Sequence, residues 1–370
     1  MNKSSKYSTI KDHRINDYID DDLEVIKNEI LKKIDGIECI ILGGGFGRGE
    51  GSVIVNKSKI QPINDYDIYV ITNYKVDAVK INLIRRKLIS LIKIRQIDIE
   101  FKTKNDLRFS KRSVANYDLK YASKLIYGNP ETLNIIPDFK SSKIPLSESL
   151  IPLNLYIISI IQSYPHKYSD ENDFWGKQQI SKSILGWSMA ILISEGKYNP
   201  SYIKRQEIFN EVNKNKEMLD LVNFATDFKI KPVLNSEIDW NELWFKNLKI
   251  HLSILNKIYS KYYNKKINNI FDIIDCIKKN KRNILKKIFG FITRNKVYKD
   301  RENLTIIELL ILSYINELNK GFSSCLIKIE NELKKRLSIN EINIKKVLDY
   351  CIDNDLNCAV WKTRGNKIFY

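Results

Sequence analysis

Leu42-Gly43-Gly44-Gly45-Phe46-Gly47-Arg48-Gly49-Glu50 and, further on, Asn64-Asp65-Tyr66-Asp67-Ile68-Tyr69-Val70 decide how this chain reads. An apolar run, Ile37 to Leu42, leads into the glycines and is predicted to be a strand. Without Cβ atoms, consecutive glycines let a backbone approach a ligand closely and line up N–H groups on an anion. Arg48 adds a cation for the same anion. Tyr66 to Thr72 is rich in β-branched and aromatic residues and is predicted to be a second strand. Asp65 and Asp67 stand two apart, so both project to one face. Adjacent carboxylates repel unless a cation lies between them, and Mg²⁺ takes carboxylate and phosphate oxygens.

Gln96 to Lys102 supplies a third strand in which Ile97, Ile99 and Phe101 alternate with Asp98 and Glu100. The acids then face one way and the apolar side chains the other. Asp98 completes a set of three carboxylates, with Glu100 in reserve. Three carboxylates around one or two metals are suited to in-line attack on a phosphoryl group.

Working outward, Asp20-Asp21-Asp22 reads as a helix start, with Leu23, Ile26, Ile30 and Ile34 at helical spacing and Gly36 as the stop. Residues 52–62 read as a loop or hairpin. Val76 to Ile94 reads as an amphipathic helix with Val76, Val79, Leu83, Leu88 and Leu91 on or near one face. Beyond Ser141-Ser142 the pattern is mostly helical. Its clearest helix, Gln178 to Glu195, is apolar on most sides and therefore reads as buried. The expected fold class is α+β, with a small mixed sheet followed by a mostly helical C-terminal part. The expected division is 1–140, 150–300 and 301–370, the last closed by a ribbon at Ala359 to Tyr370 in the manner of a winged helix.

The pattern resembles the nucleotidyltransferase superfamily that includes DNA polymerase β and kanamycin nucleotidyltransferase. It is also similar to bacterial and archaeal members carrying GGGFGRGEG and NDYD motifs. Gly44-Gly45 matches the family's turn, Gly47-Arg48-Gly49-Glu50 its extension, Asp65-Tyr66-Asp67 its paired acids and Ile97-Asp98-Ile99 its third-acid strand. Ala122 to Gly128 looks like the closing segment of such domains. The resemblance covers about Glu24 to Pro130. Twenty positions separate Gly45 from Asp65, more than in minimal members, and a loop over Gly51 to Ile63 absorbs the excess.

That resemblance implies an enzyme that moves a nucleoside monophosphate from a nucleoside triphosphate to an acceptor, releasing pyrophosphate. Asp65, Asp67 and Asp98 are the implied catalytic and metal-binding residues, with Mg²⁺ or Mn²⁺ in a two-metal site. Gly44, Gly45, Gly47, Arg48 and Glu50 are the implied nucleotide-binding residues. Related enzymes close their cleft with a helical domain carrying a lysine near the triphosphate. Lys182, which interrupts an apolar helix, is the candidate here. A small molecule or sugar phosphate is the first expectation for the acceptor and a protein side chain the second. An RNA or tRNA nucleotidyltransferase and a non-catalytic, antitoxin-like nucleotide-binding module are the alternatives.

Composition narrows the field further. The net charge is +18, which attracts phosphates, nucleic acid or anionic lipid. Ile, Lys and Asn are abundant throughout, so a compositional bias accounts for part of that excess. The five cysteines form no CxxC pair, against a disulfide framework or zinc site. No Walker A sequence and no GxGxxG pattern occurs. His13, His166 and His251 form no cluster. Met1 to Asp22 has no apolar core and no apolar run reaches the ~18 residues of a membrane span. The expectation is a cytoplasmic protein with no membrane span, with nucleic acid a less favoured partner. Lys278 to Arg301 is rich in Lys and Arg and reads as a solvated helix face.

Overall fold

The computed structural model describes residues 5–57, 59–92, 94, 96–165, 174–232, 239–279, 295–320 and 324–354. The fold is α+β, with a small mixed sheet in the N-terminal part and helices after it. Two compact units emerge. One comprises Met1–Pro145, Gly196–Glu211 and Thr226–Val233. The other comprises Leu146–Glu195, Val212–Ala225 and Leu234–Tyr370. This grouping differs from the division read off the sequence: two short segments from within 150–300 join the N-terminal unit, and the described residues beyond 301 join the helical one.

In the first unit, helix α1 runs Arg14–Lys33 and buries Ile15, Ile19, Leu23, Ile26 and Ile30. It starts a turn and a half before the aspartate triplet expected to begin it. Ile15 and Ile19 extend the apolar stripe backwards, and Asp12 accepts the N–H of Arg14 at 3.0 Å. Asp20 to Asp22 therefore lie inside the helix.

The sheet has the order β5-β4-β1-β6. These strands are β1 Ile37–Leu42, β4 Tyr66–Thr72, β5 Ile97–Thr103 and β6 Lys124–Gly128. A hairpin of β2 Val53–Val55 and β3 Ile60–Pro62 lies between β1 and β4 in the chain. Strand β4 pairs antiparallel with β1 and parallel with β5. Central β1 is buried on both faces. Ile40 and Leu42 join a core with α1, while Cys39 and Ile41 join Leu107, Leu119 and Ile136 on the other side. A strand covered on both faces reads as a continuous apolar run, as this one does.

Helix α3, Ala78–Ile92, buries Ile84, Leu88 and Ile92. Val79, Leu83 and Leu91, expected on that face, are 66%, 59% and 43% exposed. Apolar residues occupy both sides of this helix, so periodicity alone does not select the packed one. Short helices α4 Lys104–Arg108 and α5 Val114–Tyr121 complete this part of the chain.

One buried acid gives a direct stability test. Tyr66 donates its hydroxyl to Asp22 Oδ2 at 2.7 Å, and burial pushes the Asp22 carboxyl up from 3.8 to about 6. A folded-state value above the unfolded one means that the native state disfavours ionisation. The contribution is fully present below the unfolded value of 3.8 and is lost as pH rises through about 6. Asp22→Asn keeps an acceptor for Tyr66 and removes the charge. It is expected to be more stable than wild type by about 1–2 kcal/mol at neutral pH, after discounting for partial solvation. Urea melts at neutral pH and near pH 4 check this: the difference should vanish in acid.

The second unit holds α6 Leu150–Leu155, α7 Ile157–Gln162 and α8 Phe174–Ser194, the last buried nearly all round as its sequence indicates. Helix α9, Tyr202–Val212, and α10, Lys216–Ile230, are divided between the units. Next come α11 Trp240–Tyr263, α12 Ile270–Lys279, α13 Asn295–Lys320, α14 Ser324–Leu337 and α15 Ile344–Asn354. Asn247 links two helices of this core: Trp187 Nε1 donates to Asn247 Oδ1 at 3.0 Å and Asn247 Nδ2 donates to Ser183 at 3.1 Å. The expected ribbon at 359–370 and most of the basic segment 278–301 lie outside the described residues. Among the described residues no helix is long and apolar enough to cross a membrane.

Candidate functional site

Strand β1 delivers the chain to Gly43, whose N–H donates to the Asp67 carbonyl at 2.8 Å. The chain then turns through Gly44 at φ +59°, a left-handed conformation, into the five-residue helix α2, Gly44–Arg48. A Cβ on Gly44 would lie 1.7 Å from Asp67 Oδ2, and one on Gly47 would lie 2.4 Å from the Leu42 carbonyl oxygen. Both glycines are thus fixed by the protein's own packing. Gly44 makes room for the carboxylate of Asp67, and Gly47 lets α2 fold back on β1.

The acids come together across two parallel strands. Asp67 on β4 stands in register with Asp98 on β5, and Asp65 lies just before β4. One carboxylate oxygen from each of Asp65, Asp67 and Asp98 lies within 4.8 Å of the others. Burial raises the proton affinity of Asp67 well above the usual carboxylate range. Asp65 and Asp98 raise it further, while Arg48 and Lys229 oppose them. Three hard oxygen donors, two half-buried and one exposed, held against like charge, fit a Mg²⁺ or Mn²⁺ ion. Asp98 is exposed and accepts from Gln96 Nε2 at 2.9 Å. Glu100, the reserve acid, pairs instead with Lys102 at 2.5 Å.

Two residues read as nucleotide ligands are engaged by the protein itself. Arg48 is nearly buried, 3.4 Å from Asp118 and 3.8 Å from Glu50. Glu50 accepts from Ser201 Oγ at 2.6 Å and from the backbone N–H groups of Tyr202 and Ile203 at 2.8 and 3.3 Å. It therefore satisfies the amino end of α9, where free N–H groups and the helix dipole favour a carboxylate. Glu50→Ala is expected to cost about 2–3 kcal/mol, since charge-assisted bonds to buried donors are lost, with Glu50→Gln intermediate. Denaturant melts of the two variants check this order.

Glu50 brings with it a group of side chains that the local sequence signals only weakly. Tyr198 donates to Asp118 at 2.8 Å. The Tyr202 ring has Arg205, Arg48 and Lys229 at 4.4, 5.0 and 5.6 Å from its centroid. Burial pushes the Tyr202 phenol up, but Lys229, Arg48 and Arg205 outweigh it and hold the group below its ordinary value. Ser52 donates to the Lys229 carbonyl, fixing that residue's backbone beside the hairpin. Lys229 forms no salt bridge among the described residues. Tyr198, Tyr202 and Arg205 are visible as a cluster in the sequence, where tyrosines after a helix read mainly as packing. Asp118 and Lys229 carry no local signal. Lys182 lies in the second unit on α8, its Nζ 6.0 Å from the Trp175 ring centroid.

Fold and site define an α+β protein with a three-aspartate cluster at a glycine turn, flanked in the same unit by Arg48 and Lys229. No family model, no curated protein and no solved structure matches the chain.

Proposed function

We propose that the chain is a metal-dependent nucleotidyltransferase that moves a nucleoside monophosphate from a nucleoside triphosphate to an acceptor and releases pyrophosphate. The observation that carries this reading is the convergence of Asp65, Asp67 and Asp98 within 4.8 Å, beside a glycine at φ +59°. Those three carboxylates would hold Mg²⁺ or Mn²⁺, which when bound neutralises phosphate charge and polarises the α-phosphoryl group. Lys229, which forms no salt bridge among the described residues and acts electrostatically on Asp67, is the cation we assign to the phosphate tail in preference to Lys182. Arg48 acts on it from behind, anchored to Asp118 and Glu50.

Chemically, an acceptor oxygen attacks the α-phosphorus as the bond to the β-phosphate breaks, and pyrophosphate departs. Asp98 is the exposed member of the triad and the one an acceptor can reach, so its carboxylate is suited to take the acceptor's proton. Gly44 lets the Asp67 carboxylate take the place that a Cβ would fill. A small hydroxylated or phosphorylated molecule remains the first expectation for the acceptor. The test is pyrophosphate release from each of the four triphosphates with Mg²⁺ or Mn²⁺, with and without a metabolite extract. Release that needs metal and extract supports a transferase and makes the acceptor isolable. Triphosphate binding with no release under any condition would replace the proposal with a nucleotide-binding module.

A further inference from the structure

Two segments carry the positive charge of the first 145 residues, 75–95 and 102–124. The 145 residues hold 26 Lys and Arg against 19 Asp and Glu, an excess of seven. Residues 75–95 alone hold seven Lys and Arg against the single acid Asp77, an excess of six. Helix α3 occupies the centre of the segment and contains no acid at all.

The structure sorts these residues by face. Ile84, Leu88 and Ile92 pack inward. Arg85 is used internally, donating to Asn82 Oδ1 at 2.8 Å and to the Ile99 carbonyl at 3.4 Å. Lys80, Arg86 and Lys87 are exposed and form no salt bridge among the described residues. Among them stand Val79 and Leu83, 66% and 59% exposed, with Leu91 at 43%. Helical spacing sets Val79, Leu83 and Arg86 side by side, with Lys80, Lys87 and Leu91 along one flank.

We infer that the outer face of α3 docks on an anionic lipid bilayer. Cations without carboxylate partners attract acidic headgroups, and their long stems let the charge stay at headgroup level while Val79, Leu83 and Leu91 enter the acyl boundary. Nucleic acid would satisfy the cations and leave Val79 and Leu83 in water. An acidic protein would need a complementary concavity, since this face is a convex helix. Docking of this kind does not depend on the chemistry at the aspartates, and it uses charge that the proposed reaction leaves unused.

Co-sedimentation of the full chain with vesicles of phosphatidylcholine, with and without phosphatidylglycerol, tests the inference. Wild type should sediment with the anionic vesicles only, and less at high salt. The triple variant Lys80→Glu/Arg86→Glu/Lys87→Glu should bind at least about tenfold more weakly, because each basic residue near an anionic surface adds to the attraction and each glutamate reverses it. Val79→Ser/Leu83→Gln should also weaken binding, with Leu83→Gln alone as a milder variant. Thermal melts verify that each is folded. Retention of binding by the triple variant would overturn the inference by moving the contact elsewhere. Loss through the charges with indifference to Val79 and Leu83 would overturn the insertion of these side chains and leave a contact with headgroups alone. Absence of wild-type binding to anionic vesicles would also overturn it.

Discussion

Asp67→Asn is expected to lower pyrophosphate release by about 10²–10³-fold or more, with a protein at least as stable as wild type. The two effects have one origin. In the free protein the half-buried Asp67 carboxylate is desolvated and stands beside Asp65 and Asp98, so its charge is disfavoured and its proton affinity stands well above the usual range. An amide of the same shape removes that repulsion and leaves the Gly43–Asp67 backbone bond at 2.8 Å untouched. In the proposed metal site the same change would remove a ligand. A thermal shift on adding Mn²⁺ separates the two effects: wild type should gain stability with metal and the variant should not. Full turnover in the variant, or an equal metal shift, would show that the triad is not the metal site.

Gly44→Ala is expected to damage both the fold of the first unit and turnover. At φ +59° an L residue costs roughly 1–2 kcal/mol. The added carbon would also lie 1.7 Å from Asp67 Oδ2, inside any permissible contact, so either the turn or the carboxylate must move. Relief by moving Asp67 opens the triad; relief by moving the turn strains β1. Pyrophosphate release should fall by about a hundredfold or more, because a displacement of about 1 Å in a reacting group has that effect. Gly45→Ala is the control. Its Cβ would meet Asn64 Oδ1 at 3.3 Å, a contact that a small side-chain shift relieves, so its loss should be several-fold at most. Equal behaviour of the two variants in melts and turnover would mean that Gly44 does not serve the acid.

Strands β1, β4 and β5 are legible in the sequence because each element's environment is written in its own residues. A continuous apolar run marks the central strand, and alternation at a spacing of two marks the half-covered one. The same parity sets Asp65 and Asp67 on one side of their segment. Helix α8, apolar on most sides, is legible as buried for the same reason. In α3 the local signal is ambiguous, because Val79, Leu83 and Leu91 are as apolar as the buried Ile84, Leu88 and Ile92. The start of α1 departs from the expected one because three consecutive acids resemble a cap, while the earlier Ile15 and Ile19 carry the helix past them.

Local sequence therefore determined the α+β class, the three site strands and the glycine turn next to paired acids. Sheet order decided that Asp98 joins them, since the partner of Asp67 depends on which strand lies beside β4 and in what register. Tertiary packing decided the employment of Arg48 and Glu50. A motif reading hands both to a ligand, but Asp118, 70 residues away, pairs with Arg48, and the start of α9, about 150 residues away, takes the carboxylate of Glu50. Lys229 enters the site in the same way. The physical reason is one of range: hydrophobic period and backbone preference act over a few neighbouring residues, whereas charge pairing and helix capping are settled by whichever groups folding brings within a few ångströms.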